Sequence, residues 1–239
     1  MARKTRKKGR PWFRVALLFF LVLALIPVLE VVYVRFFNPP VTTLMVFRRI
    51  EAMITKRYRG DIQYRWIPLE RVPDDFLDGV WQMEDSRFFS HDGFDWIEME
   101  EAIQRAERKH RPVQGVSTIS NQCARSLFLW QGRSWVRKVL EAYYTFLMEH
   151  LLNKQRILEL YVNIIELGDG IYGIEEAAEH YYQVPAKRLT RSECAMLAAM
   201  LPFPRGWDPH NPSPRLRARY GLVLRRMNVG GPIERKLGE

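Results

Sequence analysis

Cysteine is nearly absent from this chain of 239 residues: Cys123 and Cys194 are the only two, and neither belongs to a Cys-x-x-Cys pair. That excludes a disulfide-dense scaffold and a cysteine-built zinc module. Both thiols lie in helical patterns among apolar neighbours, which fits buried, inert cysteines. A bridge between them stays open, because sequence does not give their separation. A His-Glu-x-x-His zinc helix and a nucleotide-binding glycine loop are also missing. Acidic residues are absent from the first fourteen positions, which hold seven basic ones (Arg3, Lys4, Arg6, Lys7, Lys8, Arg10, Arg14). Without them the net charge falls from +10 to +3, so the basic character describes the tail. No basic-plus-aromatic module stands out elsewhere, and no nucleic-acid partner is expected. At 47% apolar residues the chain is not a disordered protein.

Long apolar runs are scarce as well. The single one, Val15–Val34, is twenty residues broken only by Pro27 and Glu30. As a helix it spans about 30 Å, the hydrocarbon thickness of a bilayer. A cleaved signal peptide would have a shorter apolar region ending in small residues, whereas this run ends Val31-Val32-Tyr33-Val34-Arg35-Phe36-Phe37. The reading is an uncleaved anchor, with the basic tail inside and everything after Phe37 outside. Glu30 is expected to snorkel to the interface and Pro27 to kink the helix. The implied organisation is a tail (1–14), an anchor (15–34), a membrane-proximal segment (35–72) and a folded domain (73–239).

Beyond Asn38-Pro39-Pro40 the pattern is mostly helical. Helices are expected over Thr42–Tyr58, from Pro73 to near Glu84, over Asp95–Lys109, and from a Ser117 or Thr118 cap to about Trp130. A long helical region, Ser134–Leu167, is interrupted near Asn153, and helices follow at Ile174–Tyr182, Thr190–Leu201 and Arg215–Met227. An extended piece is expected at Ile62–Ile67, and a basic loop at Lys109–Gln114.

Three polar clusters exceed what such a fold needs to stand. In Glu84–Asp95, Glu84 sits at a helix C-terminus, facing the negative end of the macrodipole, with Phe88 and Phe89 near to desolvate it. Both effects disfavour the ionised form, as suits a general base at neutral pH. A solvated helix end is the bland reading, and the crowding of Arg87, His91, Asp92 and Asp95 weighs against it. Gly115-Val116-Ser117-Thr118 opens a helix whose free N–H groups suit a phosphate, and Gln122 and Arg125 extend that polar face at i+4 and i+7 from Thr118. Around Glu141 stand Arg133, Arg137 and Lys138, more cations than a neutral bridge requires and suited to a pyrophosphate-like group.

Together these clusters resemble a known family. The order Glu-Asp-x-x-Phe-x-x-His-x-Gly-x-Asp (Glu84–Asp95), Gly-x-Ser-Thr-Ile-x-x-Gln (Gly115–Gln122) and Arg-Lys-x-x-Glu (Arg137–Glu141) is similar to the peptidoglycan glycosyltransferases of family 51. The likeness continues through Ile157–Asn163 and Gly170–Ala178 and ends around Glu193–Pro202. It implies a mainly α, lysozyme-like fold of two lobes beside one N-terminal transmembrane helix. It implies polymerisation of lipid II: the lipid-linked growing glycan chain passes to the 4-hydroxyl of lipid II, forming a β-1,4 bond with inversion and releasing undecaprenyl pyrophosphate. By the same resemblance Glu84 is the catalytic base. Arg125, Arg133, Arg137 and Lys138 bind pyrophosphate, and Glu141 orders that cluster or shares in catalysis. Asp85, Thr118 and Gln122 fall on the substrate side. The family usually has Lys where Arg125 stands, and a flat guanidinium is not a point charge. No tightly bound cofactor and no dedicated metal site are expected, and a divalent cation (Mg or Mn) would ride on the pyrophosphate. The implied setting is the bacterial inner membrane, single-pass with a periplasmic catalytic domain, among other cell-wall synthesis or division proteins. The apolar residues Phe36, Phe37, Leu44, Met45 and Phe47 are expected to dip into the outer leaflet.

Two rival functions remain at this point. A lysozyme-type hydrolase also uses two acids, but cleaving a sugar–sugar bond needs no pyrophosphate clamp. A non-catalytic anchored scaffold needs no base. A bifunctional penicillin-binding protein is excluded by the length and by the lack of any Ser-x-x-Lys.

Overall fold

A computed structural model describes residues 11–55, 61–113, 115–132, 134–229 and 233. The basic tail up to residue 10, the expected helix end beyond 55, Gln114 of the basic loop and Arg133 lie outside the described residues.

Helix α1 runs Pro11–Phe36 with Pro27 inside it. Its stretch Arg14–Phe36, 23 residues, is long and apolar enough to cross a bilayer. The helix does not stand apart from the rest. Val31 and Val34 are buried in the main core, the Tyr143 hydroxyl donates to the Ala24 carbonyl at 2.9 Å, and Tyr144 donates to the Glu30 carboxylate. Glu30 therefore has a protein partner where snorkelling was expected: a carboxylate on an apolar helix is better satisfied by an adjacent hydroxyl than by a stretch toward water. At the outer end Arg156 clasps the chain, its Nε donating to Val34 O and its Nη2 to Phe37 O, each at 3.0 Å.

Helix α2 (Thr43–Ile54) starts at a Thr42 cap that accepts from Met45 N. Its amphipathic turn buries Leu44 and Met45 against Tyr172, which removes both from any lipid contact; Val46, Phe47 and Ile50 take the outward positions. Next comes β1 (Gln63–Tyr64). It pairs in parallel with β3 (Ile171–Tyr172), and β2 (Glu166–Gly168) pairs antiparallel on the other side. Asn163 adds a two-way bond to the Ile67 backbone at 2.9 Å in each direction. From Ile62 onward the expected membrane-proximal segment is thus bound into the catalytic fold.

The expected helix to Leu167 stops early. Helix α7 (Lys154–Ile164) ends where Ile165 turns extended and its carbonyl accepts from Gly173 N at 2.9 Å. Gly173 has φ +78, and a Cβ there would lie 2.4 Å from Asn163 O, so only glycine admits this crossing. The remaining helices are α3 (Asp74–Glu84), α4 (Trp96–Arg108), α5 (Ile119–Phe128), α6 (Trp135–Leu151), α8 (Gly173–Tyr182), α9 (Arg191–Met200) and α10 (Pro214–Val229). Local sequence sets their starts. Asp95, Thr118, Ser134 and Asn153 cap α4, α5, α6 and α7, and Thr190 with Glu193 forms a capping box on α9.

The helices fall into two groups. On one side α3, α9 and α10 pack on one another; on the other, α5 packs on α6 and α7, and α6 lies along α1. One apolar core runs through both groups. Cys123 and Cys194 are buried in it, both unpaired, and burial pushes both thiols up, Cys194 to about 12.

Candidate active site

Helix α3 ends at Glu84 because Asp85 leaves helical geometry at φ −164, and the chain turns into the cleft at that point. Asp85 does not face the cleft as freely as its neighbour. It is buried, its Oδ1 lies 2.9 Å from His91 Nε2, and its Oδ2 accepts from the Ile119 N–H at 3.0 Å. His91 Nδ1 accepts from the Gly93 N–H, which assigns the ring proton to Nε2 and makes the imidazole the donor to Asp85. This carboxylate therefore joins the end of α3 to the start of α5. The Gly115–Thr118 turn is held the same way. Thr118 Oγ1 donates to Gly93 O at 2.7 Å and accepts from Asn121 N, so its hydroxyl is fully engaged. Gly93 takes φ +88, and a Cβ would meet Thr145 Cγ2 at 2.7 Å, which explains the glycine of the His-Asp-Gly segment. Ser117 Oγ, beside them, is buried without a partner among the described residues.

Glu84 is held from two sides. Gln122 Nε2 donates to Oε2 at 3.1 Å, and Arg219 Nη2 donates to Oε1 at 2.8 Å. Tyr161 donates to Gln122 Oε1 at 2.9 Å, which fixes which end of the amide faces Glu84. The Tyr161 phenol is pushed well up by burial, with Glu84 adding to the effect, and so stays a neutral donor. The two donors to Glu84, Gln122 and Arg219, fix the orientation of the carboxylate. Arg219, 135 residues downstream of Glu84, is a contact that no local pattern announces.

Glu141 behaves differently. Its side chain is fully buried on α6, with Arg137 Nη1 at 2.5 Å from one oxygen, Lys138 Nζ at 2.5 Å from the other, and Arg125 Nη1 at 4.0 Å. Arg137 Nε also donates to Gly132 O, while Lys138 is half exposed. Three cations around one acid leave a surplus of two positive charges, and Arg125 and Lys138 keep part of theirs in solvent. Arg125 lies on α5 one turn beyond Gln122, so a single helix links this cation cluster to Glu84.

The cleft beside Glu84 encloses about 650 Å³, lined by Asp85, Ser86, Ser117, Arg105, Lys109 and Arg226 among others. Much of the 84–95 cluster that looked catalytic is architecture. Arg87 bridges Asp95 at 2.8 Å and Glu98 at 3.0 Å, tying the segment to α4. Asp85, His91 and Asp95 offer ligand atoms within 4.8 Å of one another. Each is committed internally, however: Asp85 to His91 and Ile119, and Asp95 to Arg87 and the Glu98 N–H. The trio does not fit a metal cage.

A buried-acid cation cluster and a cleft-lining carboxylate, linked through α5 in a mainly helical fold, suit group transfer with an anionic leaving group. Residues 51–228 match the transglycosylase family, and the chain belongs to it. The fold is accordingly lysozyme-like, and the chain is a glycosyltransferase of cell-wall glycan-strand synthesis. It is similar to the biosynthetic peptidoglycan transglycosylase of Xylella fastidiosa strain 9a5c, 42% identical over 92% of this chain and 91% of the relative. The protein of that name from Xanthomonas campestris pv. campestris strain B100 is 43% identical over 96% of this chain and 92% of its own length. That from Xanthomonas euvesicatoria pv. vesicatoria strain 85-10 is 40% identical over 95% and 92%.

Proposed function

We propose that the chain polymerises lipid II at the outer face of the bacterial inner membrane, with Glu84 as the base. The acceptor's 4-hydroxyl gives its proton to Glu84 as its oxygen attacks C1 of the lipid-linked donor from the face opposite the diphosphate. The C1–O bond to phosphate breaks, its electron pair leaves with undecaprenyl pyrophosphate, and a β-1,4 bond forms with inversion. Arg125, Arg137 and Lys138 take up the negative charge that grows on the departing group, and Glu141, shielded from substrate, holds them in register. Arg125 acts here as a fork where the family more often places a point charge. Gln122 orients the base, and Asp85 and Thr118 hold the walls of the substrate site in place. A divalent cation would be carried by the diphosphate, since the carboxylates nearby are already bonded. The observation that carries the reading is the pairing of a cleft-lining, doubly held carboxylate with a surplus-cation clamp, the two linked through α5, which carries both Gln122 and Arg125.

The seating of α1 supports a membrane-level reaction. Ala24 lies twelve residues before Phe36, about 18 Å along a helix, which exceeds half the hydrocarbon thickness of about 15 Å. With α1 spanning the bilayer, basic end inside, the Tyr143–Ala24 bond would carry this part of α6 into the hydrocarbon region, down to about its midplane. Exposed Val136, Val139 and Phe146 follow one face of α6 at helical spacing and suit that environment.

Incubating the membrane-embedded chain with lipid II should yield glycan strands, and Glu84→Gln should abolish them. Strand cleavage of finished glycan, or elongation unaffected by Glu84→Gln, would overturn the assignment.

A further inference from the structure

One cation at the site has no part in the scheme above. Arg219 sits on α10, beyond the proline-rich segment, and its side chain is three-quarters buried. Among the described residues Glu84 is the single acid it pairs with, at 2.8 Å, and its buried Nε has no partner. It lies apart from the diphosphate clamp, whose cations gather on Glu141. The helix that delivers it is firmly docked. Leu216, Val223 and Met227 enter the core, Arg226 donates to Gln82 O on α3 at 2.8 Å, and Tyr220 bonds Ser192 on α9. Gln82 is two residues before Glu84, so α10 grips the last turn of α3 twice, once by backbone and once at the carboxylate itself.

We propose that Arg219 is a positioning residue for the base: it fixes the Glu84 carboxylate, in its charged form, at the angle required for the acceptor hydroxyl. This rests on Glu84 being the base. Gln122 and Arg219 take one lone pair on each oxygen from opposite sides, which sets the carboxylate plane while leaving other lone-pair directions for the incoming proton. Gln122 alone is a single neutral contact at 3.1 Å, around which the carboxylate can swing. Loss of Arg219 would therefore act on the chemical step more than on substrate binding.

The test compares Arg219→Ala, Arg219→Gln and Arg219→Lys in the full chain, reconstituted in membrane, by kcat and KM for lipid II and by thermal unfolding. Expected for Arg219→Ala and Arg219→Gln is a fall in kcat of about 10- to 100-fold with KM changed less than about threefold. Arg219→Lys should recover a measurable part of that loss, because the charge returns without the fork. A rise in KM with kcat kept would make Arg219 a substrate-binding cation and sink the proposal. So would wild-type kcat in a folded Arg219→Gln variant, or a kcat loss in Arg219→Lys as deep as in Arg219→Ala at unchanged unfolding temperature. Wild-type turnover in Glu84→Gln is a separate outcome, which removes the base itself and is read without any Arg219 variant.

Discussion

The two helix groups solve the problem of a charged carboxylate in opposite ways. On the α5–α6 flank, Glu141 is fully buried and its cations reach outward, so the acid is the fixed hub and the bases are the working surface. On the α3–α9–α10 flank, Glu84 is itself the reachable group and its partners come from behind, one from α5 and one from α10. A buried acid organises cations, and a cornered but accessible acid can do chemistry. Charge counting by sequence cannot separate the two, since both acids have basic residues close by.

Breaking each acid in turn gives the sharpest contrast. Glu84→Gln should lower turnover by about 10²- to 10⁴-fold with unfolding temperature and KM nearly unchanged, as measured by strand synthesis from lipid II and a thermal melt. Glu141→Gln should instead raise KM and cost stability of about 2–3 kcal/mol, below the usual toll for a broken buried pair because Lys138 and Arg125 can turn to water. Equal effects of the two substitutions on kcat alone would erase the distinction between the flanks.

A third substitution probes the α3 flank away from the chemistry. Asp78 is buried, accepts from Ile233 N at 2.8 Å, and has its carboxyl pushed up to about 6, chiefly by desolvation. A raised carboxyl favours the protonated fold, so its stabilisation is complete below pH 4, its ordinary range, and is lost as pH rises through about 6. Asp78→Asn keeps the acceptor for Ile233 and removes that slope. At pH 7 it should stabilise the chain by up to about 3 kcal/mol relative to its effect at pH 4, at 1.36 kcal/mol per pK unit. Melts of both proteins at the two pH values decide this, and parallel shifts would refute it.

The smallest expected signal belongs to the α6 flank. An environment-sensitive probe on Val139→Cys should report an apolar setting in vesicles and be quenched by lipid-borne quenchers, while one on Glu179→Cys should not. Both native cysteines are buried and will not compete for label. Equal quenching at the two positions would detach α6 from the leaflet.

Most helices were legible because each carries its own start signal, and Pro73, Asp95, Thr118, Ser134, Asn153 and Thr190 all stand at or beside the observed starts. The Arg137–Lys138–Glu141 cluster was legible for a similar reason, since i, i+3 and i+4 spacing is local information. Contacts between distant segments were not. Nothing in Ile62–Ile67 names Ile171 as its neighbour, so β1 read only as an extended piece, and Glu166 and Leu167 of β2 read as the end of a helix. Arg219 was hidden in a basic helix that looked generic, and its meaning comes only from docking against α3. Thr118 and Asp85 show what the motif leaves unsaid: both line the cleft, and their bonds also join α3, α5 and the Gly93 turn.

The bond from Tyr143 to Ala24, with the Arg156 clasp above it, makes the N-terminal helix a rigid post and not a leash. An enzyme on a leash could search a hemisphere; one on a post has its catalytic height fixed to within a side chain. Each sugar would then be added at the same distance from the lipid surface, and the growing polymer has to be fed outward past a stationary machine.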